Sequence, residues 1–176
     1  MYNEQKFSKY LSYLLRHNPA EANLHMNEQG FVLVDELIAN TGITMEQLET
    51  LVKNDKKQRY SIIGNMIRAN QGHSIPVKID FKPYHGNTVY HGTSRSNYEK
   101  IMASGAILPM SRQYVHLSKN KETAIKVAKR HCHNDSIVVI VIDGNRLTLY
   151  ESENGVILAD RVPVESFKDV ICLKQD

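Results

Sequence analysis

The sequence predicts an α+β protein of two lobes, and three observations support this class. Before residue 55, apolar side chains recur at helical spacing in three segments. Residues 59–69 alternate around Gly64-Asn65 in the manner of a β-hairpin. After residue 88, short strands rich in β-branched residues dominate the pattern. A chain of 176 residues is long enough to bury a core without cross-links, as one domain or two small lobes.

The first lobe is expected to begin with an amphipathic helix over residues 3–17. Asn18-Pro19 ends this helix, because proline disfavours helical conformation in the residue before it. The apolar stripe of the helix consists of Phe7, Tyr10, Leu11, Leu14 and Leu15.

Further helices and a hairpin complete this lobe. A short strand at residues 30–32 precedes a helix that runs from Asp35 to about Gly42. Thr44 and Gln47 have capping-box spacing at the start of a third helix. Three helices followed by a hairpin predict a winged-helix lobe over residues 1–80.

Residues 81–88 are rich in turn formers and are expected to link this lobe to a second one at residues 89–176. There we expect one helix that Ser96 caps and Gly105 ends. Its inner face is predicted to be Tyr98, Ile101 and Met102. Either Ser118 or Asn120 caps the next helix. Strands are predicted at residues 89–90, 114–117, 137–142, 147–150, 155–158 and 170–173, with 137–142 at the centre of a sheet.

Composition excludes several classes of function. The net charge is only +3 and the basic residues are spread over both halves, so phosphate binding must come from a few placed side chains. The N-terminus is polar and the longest apolar run, residues 137–142, is too short to span a bilayer, so we expect neither signal peptide nor membrane span. Cys132 and Cys172 lack disulfide or metal spacing, which favours a cytoplasmic protein with buried thiols.

Four cationic residues are candidates for binding a phosphate. Arg16 and His17 stand together at a helix C-terminus, where each could instead simply neutralise the helix dipole. Arg59 follows two lysines before a strand, a pattern that by itself is typical of a solvated edge. Arg112 lies in a later polar segment.

Two glycine-containing turns are candidates for binding a cofactor. The first is Gln71-Gly72-His73-Ser74, for which a self-bonded polar turn is an equally good interpretation. The second is His91-Gly92-Thr93. Neither a Rossmann fingerprint nor a phosphate-loop lysine motif occurs in the sequence. A metal site at His131-Cys132-His133 is rejected, because no second ligand pair follows.

Six motifs in order carry a resemblance to a known family. The segments SYLLRH, KQRY, QGHS, HGT, LPMSR and VHLS, together with ADRVPVESF, resemble the RNA 2′-phosphotransferase family from Leu11 to about Val164. The resemblance implies a winged-helix lobe joined to an ADP-ribosyltransferase-like lobe with a split β-sheet. It also implies an enzyme that removes an internal 2′-phosphate from RNA and consumes NAD, with roles in tRNA splicing.

The resemblance assigns roles to individual residues. Arg16, His17, Arg59 and Arg112 match the catalytic set, and we expect the three guanidinium groups, drawn from both lobes, to converge on one phosphate dianion. The candidates for NAD binding are His91, Gly92, Thr93, His116, Ser118, Gln71, Gly72, His73 and Ser74. Without the resemblance, His116 fits the polar face of a half-buried strand equally well. No metal is expected.

Two alternative functions stay open at this stage. One is an ADP-ribosyltransferase that modifies protein or nucleic-acid ends and leaves a stable ADP-ribosyl product. The other is a winged-helix DNA-binding regulator, which the acidic residues Glu46 and Glu49 on the third helix disfavour. The expected partners are NAD and an RNA with an internal 2′-phosphate, and the expected state is a monomer.

Overall fold

The computed structural model describes residues 3–130, 132 and 135–173. Five α-helices and four small antiparallel sheets over this part of the chain make the protein α+β, as predicted. The chain divides into two compact units. Unit 1 contains Met1–Asp80 and Ser111–Gln113, and unit 2 contains Phe81–Met110 and Tyr114–Asp176.

Unit 1 holds three helices and one three-stranded sheet in the order β1-β3-β2. Its elements are α1 (Glu4–Arg16), β1 (Val32–Leu33), α2 (Val34–Thr41), α3 (Met45–Asn54), β2 (Tyr60–Ile63) and β3 (Met66–Ala69). The predicted capping box is present, because Thr44 Oγ1 accepts from Gln47 N and Gln47 Oε1 accepts from Thr44 N. Gly42 ends α2 with a φ of +73°, a left-handed conformation that favours glycine.

The core of unit 1 forms around the apolar stripe of α1. Leu11, Leu14 and Leu15 are fully buried and pack with side chains from α2, α3 and β3. Phe7 and Tyr10 lie at the edge of this core. Because the stripe is buried up to Leu15, the last residue of α1 and the residue after it have a fixed position.

Unit 2 contains two helices and three antiparallel sheets, ordered β4-β9-β10-β7, β12-β8-β5 and β11-β6. Its elements are β4 (Lys82–Tyr84), β5 (Thr88–Ser94), α4 (Arg95–Ser104), β6 (Ala106–Ile107), β7 (Val115–Leu117), α5 (Lys121–Lys129), β8 (Ile137–Asp143), β9 (Leu149–Glu151), β10 (Ile157–Ala159), β11 (Val162–Pro163) and β12 (Phe167–Leu173). The β-branched segment β8 is the central strand of its sheet, as predicted. Asn120 caps α5, which decides between the two predicted caps.

Two details of unit 2 differ from the prediction for α4. Its N-cap is Ser94, whose Oγ accepts from Asn97 N, whereas Ser96 N and Oγ both donate to Asp135 Oδ2 at 2.9 and 2.8 Å. The side chain of Met102 is exposed instead of facing the core.

The segment expected as a link also contains regular structure. Lys82–Tyr84 pair with Leu149–Glu151, so residues 81–88 include an edge strand of a four-stranded sheet. This pairing joins residues more than sixty positions apart, which a local sequence pattern does not reveal.

Over the described residues, no helix is long and apolar enough to cross a membrane. The rejected metal motif includes His131 and His133, which lie outside the described residues. Within the ranges that are described, no three His, Cys, Asp or Glu side chains group in a way that could hold a metal ion.

Candidate functional site

Arg16 is the last residue of α1, and two of its guanidinium nitrogens, Nε and Nη2, are buried. Within the described part of the chain, neither Nε nor Nη2 of Arg16 has a hydrogen-bond partner. Burial lowers the pKa of Arg16 from its ordinary value to about 10, and the charges of Arg112 and Arg59 contribute to the decrease. Arg16 is still protonated at neutral pH. Burying a cation whose hydrogen-bond donors have no acceptor costs free energy, unless a bound anion accepts those hydrogen bonds.

Two other guanidinium groups act on the charge of Arg16. Arg112 and Arg59 act on Arg16 as cations, and Asp55 is the carboxylate that offsets them. Arg112 is exposed. Arg112 and Arg59 are therefore both close enough to Arg16 for their charges to lower its pKa.

Gly72 allows the backbone to lie directly against Arg16. Its φ is +92°, and a Cβ at this position would lie 3.3 Å from Arg16 Nε and 3.4 Å from Cζ. The backbone beyond it also fixes the helix end, because Ser74 N donates to Arg16 O at 2.9 Å. The turn at residues 71–74 thus holds Arg16 in place from one side.

His17 is exposed and is oriented by the same turn. Its Nδ1 lies 2.9 Å from Ser74 Oγ, and either atom can donate according to the tautomer. Desolvation lowers the pKa of His17, as do the charges of Arg16 and Arg112. With Nδ1 bonded to Ser74, Nε2 is the ring nitrogen available for a substrate.

His73 is buried among the cations. Its pKa falls from 6.5 to about 4, chiefly through burial and then through the charges of Arg16, Arg68 and His17. His73 is therefore neutral at physiological pH. Its carbonyl accepts from Gln113 N at 3.0 Å, and Gln113 Nε2 donates to Val77 O at 3.1 Å.

The bonds of Gln113 explain the position of Arg112. Residues 111–113 belong to unit 1 although they lie within residues 89–176 of the sequence. The sequence predicts that the arginines come from both lobes. In the structure, Arg16, Arg59 and Arg112 all belong to unit 1. The reason is that Gln113 binds residues 73 and 77 through both its backbone and its side chain.

Arg59 is held by a carboxylate. Its Nη2 donates to Asp55 Oδ1 at 2.9 Å and its Nε donates to Asp55 Oδ2 at 3.0 Å. The Asp55 hydrogen bonds raise the pKa of Arg59. Arg59 is thus a pre-oriented cation, whereas two nitrogens of Arg16 have no acceptor in the described part of the protein.

A second group of predicted residues meets where β5 and β7 approach each other in unit 2. Tyr90 and Ser118 exchange backbone hydrogen bonds of 2.9 and 2.8 Å. His91 Nδ1 lies 3.2 Å from His116 O and donates to it in the corresponding tautomer. Burial lowers the pKa of His91. His91, His116 and Ser118 are therefore neighbours, each half-buried.

The glycine of the His91-Gly92-Thr93 turn has a packing role. A Cβ at Gly92 would lie 2.0 Å from the carbonyl oxygen of Ala124 in α5. The side chain of Thr93 is also buried. The glycine therefore admits α5 onto the sheet, which is a structural reason for its presence beyond any contact with a ligand.

The structure brings the predicted residues together in two groups. Gln71, Gly72, His73 and Ser74, predicted as cofactor contacts, lie in unit 1 with the phosphate candidates. Sequence reasoning missed Asp55 and Gln113. Asp55 lies four residues before Arg59, and this spacing is a signal that could have identified it. Nothing in the local sequence marks Gln113.

The unpaired donors of Arg16, with the charges of Arg59 and Arg112 acting on it, are suited to binding an anion such as phosphate. Residues 2–161 match the family described as RNA 2'-phosphotransferase, Tpt1 / KptA family. A probable RNA 2'-phosphotransferase of Pyrococcus horikoshii is 38% identical over 177 residues, covering 94% of this chain and 98% of that protein. A probable RNA 2'-phosphotransferase of Acaryochloris marina is 41% identical over 173 residues, covering 93% and 95%.

This chain therefore belongs to the RNA 2′-phosphotransferase family and is an enzyme of that activity, as the sequence motifs predicted. A solved structure from Caulobacter crescentus covers 51% of the chain at 19% identity and a TM-score of 0.39, a likeness too weak to carry an argument.

Proposed function

We propose that this enzyme transfers the internal 2′-phosphate of an RNA to NAD and binds that phosphate through Arg16, Arg59 and Arg112. The products are RNA with a free 2′-hydroxyl, nicotinamide and ADP-ribose 1″,2″-cyclic phosphate. The observation that carries the proposal is the buried Arg16 guanidinium, whose Nε and Nη2 have no acceptor among the described residues. A phosphate oxygen is the acceptor that suits both nitrogens.

In the first step, an oxygen of the RNA 2′-phosphate attacks the anomeric carbon of the nicotinamide ribose. The bond from that carbon to the nicotinamide nitrogen breaks, and the electron pair leaves with nicotinamide. A phosphate monoester, with a second pKa of about 6, is mostly dianionic at neutral pH and needs no general base. The arginines position the nucleophile, and the product is a 2′-phospho-ADP-ribosylated RNA.

In the second step, the ribose 2″-hydroxyl attacks the phosphorus and the RNA 2′-oxygen leaves. Arginine donors stabilise the charge that develops on the phosphoryl oxygens. The lowered pKa of His17 favours a neutral imidazole, which can take the proton of the attacking hydroxyl and pass it to the leaving 2′-oxygen. Ser74 orients that imidazole through Nδ1.

For NAD we propose the group at β5 and β7 as the binding residues. His91, His116 and Ser118 are half-buried neighbours that carry both donors and acceptors, which fits ribose hydroxyls and an amide. Thr93 takes part through its backbone, because its side chain is buried. The turn at residues 71–74 is proposed to act on Arg16 and His17, and its binding of NAD stays a prediction.

The same proposal extends to architecture and partners. We assign unit 1 as a winged-helix lobe, which its three helices and the β2–β3 hairpin support. We assign unit 2 as an ADP-ribosyltransferase-like lobe, which the antiparallel sheets centred on β8 and β10 support. We further propose a cytoplasmic monomer that acts in tRNA processing.

The test is to incubate the enzyme with NAD and an oligonucleotide that carries one internal 2′-phosphate, and to measure the masses of all products. The proposal expects the oligonucleotide to lose one phosphate and a cyclic phosphate of ADP-ribose to appear. The matched control is the same oligonucleotide with a 2′-hydroxyl. A stable ADP-ribosylated oligonucleotide or protein as the final product would instead indicate an ADP-ribosyltransferase.

A further inference from the structure

Arg59 differs from Arg16 in that one edge of its guanidinium is already occupied. Asp55 accepts from Nη2 at 2.9 Å and from Nε at 3.0 Å, and Ser8 Oγ accepts from Nη2 at 3.0 Å. Among the described residues, these side-chain bonds of Arg59 use Nε and Nη2. Nη1 is therefore the nitrogen that Arg59 can direct at a phosphate oxygen.

The carboxylate of Asp55 is itself fixed more firmly than the cation it holds. The side chain of Asp55 is 4% exposed, compared with 24% for Arg59. Arg59 N donates to Asp55 Oδ2 at 2.7 Å and Lys57 N donates to Oδ1 at 3.2 Å. Burial works to raise the pKa of Asp55, but the hydrogen bonds from Arg59 outweigh it and the pKa is lowered. Asp55 is thus a charged anchor for the turn at residues 55–59.

This turn is also tied to the end of β3. Asn70 Nδ2 donates to Gln58 O at 2.8 Å, and Asn70 N donates to Arg59 O at 2.8 Å. Asn70 is buried and immediately precedes the turn that holds Arg16 and His17. The position of Arg59 is therefore coupled to that of Arg16 through a short, hydrogen-bonded stretch of backbone.

A carboxylate near a phosphate site has an electrostatic cost, because it repels the dianion that the arginines attract. A carboxylate beside the arginines therefore does not increase the affinity for phosphate. It can improve the orientation of the guanidinium, because a guanidinium held at one edge loses fewer conformations when its other edge binds a phosphate oxygen.

We infer that Asp55 is a positioning residue of the reaction, which holds the Nε–Nη2 edge of Arg59 so that Nη1 meets the RNA 2′-phosphate in a fixed orientation. This inference rests on the proposed function of Arg59. It implies that Asp55 acts through Arg59 and has no effect on turnover when Arg59 is absent.

The test is a double-mutant cycle of Asp55→Asn, Arg59→Ala and the double variant, measured as kcat and KM on a 2′-phosphorylated oligonucleotide with saturating NAD. Asp55→Asn is expected to lower kcat by about 10- to 100-fold without raising KM, because it removes orientation but also removes a repulsive charge. In the Arg59→Ala background the same substitution is expected to change kcat/KM by less than about twofold.

The matched control is Glu99→Gln. Glu99 pairs with Arg95 at the same four-residue spacing, but that pair is exposed on α4. The control is expected to leave kcat and KM unchanged. Wild-type activity of Asp55→Asn, or losses that multiply in the double variant, would overturn the inference. Wild-type activity of Arg59→Ala would instead overturn the proposed role of Arg59, so the two failures are distinct.

Ser8→Ala covers the case in which Asp55→Asn does not fold. It removes the other bond to Arg59 Nη2 and leaves the buried carboxylate intact. We expect a smaller loss of kcat in the wild-type background, about threefold, and none in Arg59→Ala. Equal losses of kcat in both backgrounds, or no loss in either, would contradict the inference by this route.

Discussion

Gly72→Ala isolates the contact between the residue 71–74 turn and the Arg16 guanidinium. The new Cβ would lie 3.3 Å from Arg16 Nε, 3.4 Å from Cζ and 3.5 Å from Cδ. The 3.3 Å distance to Nε is tighter than ordinary van der Waals contact, whereas the distances to Cζ and Cδ lie at its short end, so Nε has to move by a few tenths of an ångström. The substitution therefore displaces the proposed phosphate ligand without removing it.

Two effects of this substitution can be separated. A non-glycine residue at a φ of +92° costs about 1–2 kcal/mol of backbone energy, which lowers the free energy of unfolding. Displacement of Arg16 adds a loss of kcat/KM that we expect to lie between about 10- and 100-fold. The assay is steady-state kinetics on a 2′-phosphorylated oligonucleotide, together with urea unfolding of the same preparation.

Gly42→Ala is the matched control for the backbone effect. Gly42 has a φ of +73°, and a Cβ there meets no atom within 4 Å. We expect Gly42→Ala to lower the free energy of unfolding by an amount similar to that of Gly72→Ala, and to keep the wild-type kcat/KM. If Gly72→Ala matches Gly42→Ala in both measurements, the turn does not position Arg16 for catalysis and the reasoning is refuted.

Three further predictions concern the core, the arginines and the effect of pH. Gly92→Ala puts a Cβ 2.0 Å from the Ala124 carbonyl oxygen, and we expect urea unfolding to show a loss of about 3 kcal/mol or more; a loss below about 1 kcal/mol would contradict the packing role. Arg112→Ala should lose at least about 2 kcal/mol of transition-state stabilisation in kcat/KM, and Arg112→Lys should also be harmful because a lysine cannot bind bidentately; wild-type turnover of Arg112→Ala would remove it from the site. The pKa of His73 is about 4 in the folded protein and 6.5 in the unfolded chain. Between these two pH values the unfolded chain therefore binds more protons than the folded protein. The contribution of His73 to the free energy of unfolding is complete above pH 6.5 and is lost as the pH falls towards 4, by roughly 3 kcal/mol. Urea unfolding across this range should show a smaller pH dependence in His73→Asn than in wild type, and equal dependences would count against the buried neutral histidine.

Local sequence patterns specified most of the elements because their causes are local. The apolar spacing of α1, the capping box of Thr44 and Gln47, and the β-branched run of β8 all act within a few residues. The cap of α4 was assigned to the wrong serine. Ser94 and Ser96 are two residues apart, and Ser96 donates to the distant Asp135, a contact that no local pattern reveals.

The candidate site was only partly predictable for the same reason. Arg16, His17, Arg59 and Arg112 could be selected by motif, but the position of Arg112 depends on two bonds of Gln113 that the local sequence does not mark. The sequence predicts a cofactor contact at the residue 71–74 turn because glycine permits ligand approach. In the structure Gly72 lies against the side chain of Arg16, and a contact with the cofactor stays a prediction. Gly92 similarly lies against Ala124. A glycine in a motif indicates a close approach to the backbone. The fold is needed to tell whether a ligand or another part of the protein makes that approach.

The measurement that tests the central claim most directly is the affinity of the enzyme for two oligonucleotides that differ only in a 2′-phosphate or a 2′-hydroxyl, in wild type and in Arg16→Ala. Charged hydrogen bonds to Arg16 predict that wild type prefers the phosphate by at least about tenfold and that Arg16→Ala loses most of that preference. An Arg16→Ala variant that is folded and keeps the full preference would show that the unused donors of Arg16 do not bind the phosphate.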